Sequence, residues 1–340
     1  HEKFNINYYP LERAAIDLAK SFDNKSFKPN TIYHADSWAK IKTFIYPNYN
    51  TSTINHNIPR TLIIAGSDSG GGAGIQADNK TCCSIGSYAS NVVTAITNQN
   101  THGVSGIFDI PNDFIEGQID KVLSDIGANV IKVGLIKNVE TAKIIAKRAI
   151  HYNTKLVVDP VMVSTSGHEL VDLNEARKIA KVLFPVSHII TPNIPEASFL
   201  LDNFKIKDLT DMYIACKGLY DKYQSKSVLL KGGHLEGEYK YDILYDGKYY
   251  YEFKYPQVKT NNTHGTGCTL SSAIASYLSM NCTLLRSINM AKKYLHKCLV
   301  SSTNLNIGTG NQKPLNHSSN IIDLPIQYPK FLSMICLQNQ

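Results

Sequence analysis

The 340-residue sequence has no C-x-x-C pair, no uncharged apolar run near the length of a bilayer span, and no basic stripe. Each absence removes a class of function. Without cysteines at metal-ligand spacing a structural zinc site is disfavoured. Seven cysteines at irregular spacings do not form a disulfide framework, which points to a reducing, cytoplasmic compartment. Nothing is expected to span a membrane. The formal charge of +7 is spread along the chain, which argues against nucleic acid as a partner and fits an anionic small molecule. There is no G-x-x-x-x-G-K-[ST] loop, and the glycines between 70 and 74 miss the G-x-G-x-x-G spacing, so Walker and dinucleotide sites are disfavoured.

What is present reads as a globular α/β chain, with 43% apolar and 19% charged residues. Residues 1–57 carry seven Lys/Arg against five Asp/Glu and one short helical pattern, at Leu11, Ala14, Ala15, Leu18 and Ala19. This segment is neither acid-poor like a transit peptide nor apolar like a signal peptide, and it reads as an extension. Beyond it the texture changes. Continuously apolar strands are expected at Thr61–Ala65, Val92–Ile96, Val130–Val133, Leu156–Val158, His188–Ile190 and Ser227–Leu230. Helical patterns separate them, which indicates a mostly parallel sheet covered by helices on both faces. A β-hairpin with a primed turn is expected around Asp246-Gly247, followed by helices at Thr266–Leu278 and Leu284–Leu299. Roughly the last thirty residues are polar and read as a tail. The expected organisation is therefore an extension over 1–57, one domain over 58–317 and a tail over 318–340.

Ligands of open parallel sheets bind beyond the carboxyl ends of the strands. The polar residues there are Gly66-Ser67-Asp68, Asn98-Gln99, Gly134, Asp159-Pro160, Thr191-Pro192-Asn193 and Lys231-Gly232-Gly233-His234. The run Asn262-Thr263-His264-Gly265-Thr266-Gly267-Cys268-Thr269 opens directly into a helix. Its backbone N–H groups and the positive end of the helix dipole make an anion site, and they lower the pKa of a thiol such as Cys268. The alternative is a glycine-rich helix start whose cysteine packs inward. Asp78, one turn into its helix, can accept from a ligand amine or simply partner the helix dipole. Asn193-x-x-Glu196 can help hold hydrated magnesium or only cap a helix. Lys231 is placed to meet phosphate. His102, His234 and His264 lack metal-ligand spacing.

The run Ile64-Ala65-Gly66-Ser67-Asp68-Ser69-Gly70-Gly71-Gly72-Ala73-Gly74-Ile75-Gln76-Ala77-Asp78 closely resembles the opening signature of hydroxymethylpyrimidine/phosphomethylpyrimidine kinases of thiamine biosynthesis. Gln99-Asn100-Thr101, Lys132-Val133-Gly134, Asp159-Pro160-Val161-Met162, Ser166-Gly167, Thr191-Pro192-Asn193, Lys231-Gly232-Gly233-His234 and the 262–269 run match in order, over about residues 59–317. The resemblance implies a ribokinase-like fold. It implies transfer of the ATP γ-phosphoryl to a pyrimidine hydroxymethyl group, then to the resulting monophosphate, with Mg2+ as cofactor and a homodimer as assembly. It places Gly66, Asp78, Gln99 and Val161 around the pyrimidine, with Asp78 on the ring amino group and Gln99 on a ring nitrogen. Asn193, Glu196, Lys231 and Thr266 would serve ATP and, through Glu196, magnesium. Gly265, Gly267 and Cys268 would form the anion hole, with Cys268 as base. Two positions depart from the pattern: Leu135 stands where Met is common, and Ser69-Gly70 replaces Pro-Ser.

The rival enzyme reading is a pyridoxal/pyridoxine kinase, and a sugar kinase is disfavoured by Cys268. A catalytically silent pyrimidine binder is the rival outside enzymes, and intact phosphate machinery speaks against it.

Overall fold

The computed structural model describes residues 58–162 and 170–320; the helical pattern at 11–19, the Ser166-Gly167 match and residues 321–340 lie outside the described residues. The order is β1 (Arg60–Asp68), α1 (Gly74–Ile85), β2 (Tyr88–Asn100), β3 (Gly103–Asp109), α2 (Asn112–Asp125), β4 (Val130–Val133), α3 (Val139–His151), β5 (Lys155–Val158), α4 (Leu173–Leu183) and β6 (Ile189–Ile190). Then come α5 (Ile194–Leu200), α6 (Leu209–Tyr223), β7 (Val228–Lys231), β8 (Tyr239–Tyr245), β9 (Tyr250–Pro256), α7 (Thr266–Ser279) and α8 (Leu284–Ser301).

The strands form one sheet in the order β3-β2-β1-β4-β5-β6-β7-β8-β9. From β2 to β7 neighbours are parallel, and the pairs β2–β3, β7–β8 and β8–β9 are antiparallel. The expected hairpin thus continues the main sheet. Its turn has φ +91° at Gly247, and the Asp246 N–H donates to the Tyr249 carbonyl at 3.2 Å, as in the primed turn that takes glycine first.

Alternation along the strands decides which helices lie where. Leu62, Ile64, Ile131 and Val133 face a core built with α2 to α6, including Ile115, Ile145, Ile179 and Met212. Val130, Val157, Ile189 and Leu229 face α7 and α8 through Ile274, Leu278, Ile288 and Leu295, and Ile63 meets α1 at Cys82. Side-chain caps fix five helix starts: Asn138 on Thr141 N–H, Asp172 on Asn174 and Glu175, Asn193 on Glu196, Asp208 on Asp211, and Thr283 on Arg286.

Two expectations need correction. The strand β3 was not foreseen. The polar stretch after residue 310 is packed and not loose: Gln312, Leu315 and His317, inside the expected domain, and Ser319, expected in the tail, are all buried.

Candidate active site

The carboxyl ends of β1, β4, β5, β6 and β7 open into a cavity of about 760 Å³, within the range of small-molecule sites. Gly66, Gln99 and Val161 line it, as do Asn193, Glu196 and Lys231. So does the whole Gly265–Cys268 turn. The sequence-predicted residues therefore converge on one cleft, with one exception.

That exception is Asp78. It is wholly buried, its Oδ2 receives Lys132 Nζ at 2.7 Å and its Oδ1 receives Ser272 Oγ at 2.6 Å. It does not line the cavity. The carboxylate expected on a ring amine is instead turned from α1 toward β4 and α7.

Gly265 is the N-cap of α7, with φ +88°. A Cβ there would lie 1.9 Å from the Gly72 carbonyl oxygen, so only glycine lets the two loops abut. The amides of the first helical turn have no partner within the helix; the Thr266 N–H donates to the Thr263 carbonyl at 3.3 Å, and Gly267 and Cys268 line the cleft. Lys231 stands beside them: a Cβ at Gly267 would be 3.2 Å from its Nζ and 3.3 Å from Asp159 Oδ2. Lys231 Nζ donates to Asp159 Oδ1 at 2.7 Å, which also receives Thr191 Oγ1 at 3.0 Å. Burial works against both charges, yet each holds the other ionised, with the Lys231 pKa raised and the Asp159 pKa lowered. An ammonium against a helix N-terminus is a built anion site.

Across the cleft Asn193 and Glu196 form a capping box. Glu196 Oε2 accepts the Asn193 N–H at 2.8 Å, and Asn193 Oδ1 accepts the Glu196 N–H at 2.9 Å. Burial lifts the Glu196 carboxyl to about 7, with Lys231 opposing and Asp159 reinforcing the rise. Its Oε1 takes no hydrogen bond from the described residues. Among them no group of three or more His, Cys, Asp or Glu is placed to hold a metal.

The opposite wall is set by the glycine-rich loop after β1. Asp68 accepts from the Gly70, Gly72 and Ala73 N–H groups at 2.8, 3.1 and 2.8 Å, and its Oδ2 lies 3.0 Å from His264 Nε2. Burial alone would raise the Asp68 carboxyl, but His264 and these amides hold it below the ordinary range. His264 Nε2 is also 3.3 Å from Gln99 Nε2, and Thr97 Oγ1 donates to Gln99 Oε1 at 3.1 Å. Leu135 packs against Gly66.

The thiol of Cys268 departs from expectation. Burial pushes it up to about 12; the Lys132 ammonium opposes that rise, and the carboxylates of Asp78 and Asp159 add to it. It keeps its proton at neutral pH. Sequence reasoning named Asp159 only as a strand-end candidate and gave Lys132 and His264 no role in the site. Asp159-Pro160 stood among the strand ends, but its lysine partner is 72 residues away in the chain.

The sequence profile of the phosphomethylpyrimidine kinase family matches residues 68–316. A probable thiamine biosynthetic bifunctional enzyme of Oryza sativa is 44% identical over 261 residues, 76% of this chain and 47% of that protein. This chain thus spans about half the length of the plant enzymes it matches. The hydroxymethylpyrimidine/phosphomethylpyrimidine kinase of Rhizobium meliloti is 39% identical over 256 residues, 75% of this chain and 96% of that one. Among solved structures, Clostridium difficile phosphomethylpyrimidine kinase aligns with a TM-score of 0.62 at 41% identity, covering 70% of this chain and 98% of that one. Bacillus subtilis pyridoxal kinase in complex with ADP aligns with a TM-score of 0.71 at 32% identity, covering 78% and 100%. The ribokinase-like fold follows, and by the profile match and these identities the chain belongs to the phosphomethylpyrimidine kinase family.

Proposed function

We propose that this chain transfers the γ-phosphoryl of ATP to the hydroxymethyl oxygen of 4-amino-5-hydroxymethyl-2-methylpyrimidine, and a second phosphoryl to the monophosphate so formed. One observation carries the reading: the Lys231 ammonium and the Gly265–Cys268 amides share a single cavity with the Gly66, Gln99 and Val161 wall. In the first step an O–P bond forms at the hydroxymethyl oxygen as the bond from the γ-phosphorus to the β,γ-bridging oxygen breaks; ADP leaves, and the hydroxyl proton passes to solvent. Phosphoryl transfer of this kind rests on positioning and charge more than on a strong base. Lys231 and the amides of Gly265, Gly267 and Cys268 offset charge on the transferring group. Asn193 and Thr266 flank the nucleotide end. Gly66 and Val161 admit a flat ring, and Gln99 hydrogen-bonds it.

The donors present fit magnesium: Glu196 Oε1 is uncommitted at the cleft wall, and one or two carboxylates with phosphate oxygens suffice for that ion. When bound it would neutralise phosphate charge and orient the γ-phosphoryl. The neutral Cys268 thiol acts as a weak donor beside the reacting oxygens and not as a preformed base. On this reading residues 58–317 are the kinase domain, and sedimentation or size exclusion tests the homodimer.

A second reading, a pyridoxal kinase, is favoured by the likeness to the Bacillus subtilis enzyme. A coupled assay of ADP release over the hydroxymethylpyrimidine, its monophosphate and pyridoxal separates the two. Turnover of both pyrimidines is expected. Turnover of pyridoxal alone would transfer the assignment to that activity, and no turnover of any acceptor would leave a binding protein.

A further inference from the structure

Residues 308–319 run as a strap over both glycine loops. The Gly310 and Gln312 N–H groups donate to Thr101 Oγ1 at 3.1 Å and to the Thr101 carbonyl at 2.9 Å. The Lys313 carbonyl accepts the His264 N–H at 3.1 Å, and Pro314 packs on Gly72. At the end of the strap His317, 4% exposed, sets its Nε2 3.0 Å from Thr269 Oγ1. That hydroxyl donates to the Gly265 carbonyl at 2.8 Å, where the Thr269 N–H also arrives at 2.9 Å. The backbone of His317 is itself held from two helices, because its carbonyl accepts from Ser84 Oγ at 2.7 Å and Tyr294 OH at 2.8 Å. Burial lowers its pKa to about 4, so it is a neutral hydrogen-bonding group and not a cation.

The Gly265 carbonyl and the Thr266 N–H belong to one planar peptide. Fixing the carbonyl therefore fixes the first turn of α7, from which the Gly267 and Cys268 amides project. We propose that His317 is a positioning residue for phosphoryl transfer: acting through Thr269, it sets the direction in which the Gly265–Cys268 amides meet the transferring group. This rests on the kinase reading above. It assigns a role to a C-terminal segment that itself lines no part of the cleft.

The test compares His317→Ala, His317→Gln, Thr269→Val and Ser319→Ala. Glutamine can return an amide to the place of the ring nitrogen. Ser319 lies in the same short turn but contacts Cys298, at 3.3 Å, and not α7. Affinity is measured by calorimetry for ADP and for magnesium-ADP with aluminium fluoride, a mimic of the phosphoryl group in transit, alongside kcat and KM. His317→Ala and Thr269→Val should keep ADP affinity within about twofold. Both should lose about tenfold to a hundredfold in affinity for the mimic and in kcat, the scale of a small misplacement, with the pyrimidine KM unchanged. His317→Gln should recover most of that loss, and Ser319→Ala should match the wild type. Unchanged mimic affinity in His317→Ala would overturn the proposal, as would a fall matched by ADP affinity and by the loss of folded protein. If the wild-type chain binds the mimic and the variants lose it, but no pyrimidine turns over, the substrate reading fails and the positioning role stands. If the wild type binds no nucleotide, both fall.

Discussion

Lys132 Nζ lies 2.7 Å from Asp78 Oδ2, with neither side chain exposed to solvent. Burial disfavours the ammonium, but the Asp78 carboxylate, with Cys268 and Asp159 behind it, more than offsets this and raises the Lys132 pKa. Ser272 ties the same carboxylate to α7 one turn after Cys268, so the pair clamps α1, β4 and α7 beneath the cleft floor. Removing one partner strands a buried charge. Asp78→Ala should therefore cost about 3–5 kcal/mol in urea unfolding, whereas Lys132→Met with Asp78→Leu should come within about 1–2 kcal/mol of wild type. A folded, fully stable Asp78→Ala with only a raised pyrimidine KM would return Asp78 to the substrate.

Cys268 offers a direct check on its own protonation. A thiol raised to about 12 is ionised to only about one part in 10⁵ at neutral pH. Alkylation of the Cys268 peptide by iodoacetamide, followed by mass spectrometry, should rise about tenfold per pH unit from pH 7 to 10 without a plateau. Cys268→Ser should accordingly keep kcat within about tenfold of wild type, since a hydroxyl also retains its proton. A plateau below pH 9 would restore the thiolate base.

The sequence disclosed this architecture where burial is two-sided. The strands β4 to β7 are short apolar runs flanked by helices on both faces, and their texture alone announces them. The strand β3 escaped because it is an edge strand, half-exposed, with glycines at 103 and 106 and no clean alternation. Asp78 was misplaced for a different reason. Its position one turn into α1 is compatible with facing the cleft or facing α7, and only the lysine 54 residues onward decides. The strap from 308 to 319 reads as polar text, because its contacts to Thr101, His264 and Thr269 are individual hydrogen bonds and not a periodic pattern.

Gly265→Ala tests the abutment of the two glycine loops. The backbone there is left-handed, and the intruding Cβ would meet the Gly72 carbonyl, which is main chain and cannot swing aside like a side-chain tip. The substitution should cost more than about 1 kcal/mol in thermal unfolding. It should also lower kcat by about a hundredfold, because the amides lose their aim. Wild-type turnover in this variant would remove the turn from the chemistry.

Glu196 makes a prediction with a definite sign. Its carboxyl is raised by burial from 4.5 to about 7, so between those pH values the folded chain keeps a proton that the unfolded chain has released. The stabilising contribution is complete below the lower value and is lost as pH rises through the upper one, by at most about 3 kcal/mol. Glu196→Gln preserves shape and can maintain the capping box, so its stability should be flatter across that window. A cation on Oε1 favours the ionised form. Magnesium-ATP binding near pH 6 should thus expel a proton, seen as a dependence of the calorimetric enthalpy on the ionisation enthalpy of the buffer. The glutamine variant should bind without that dependence and more weakly by about tenfold, the scale of one charge-assisted ligand. If the wild-type enthalpy were the same in every buffer, the carboxylate would be a helix cap and nothing more, and magnesium would have to be held without it.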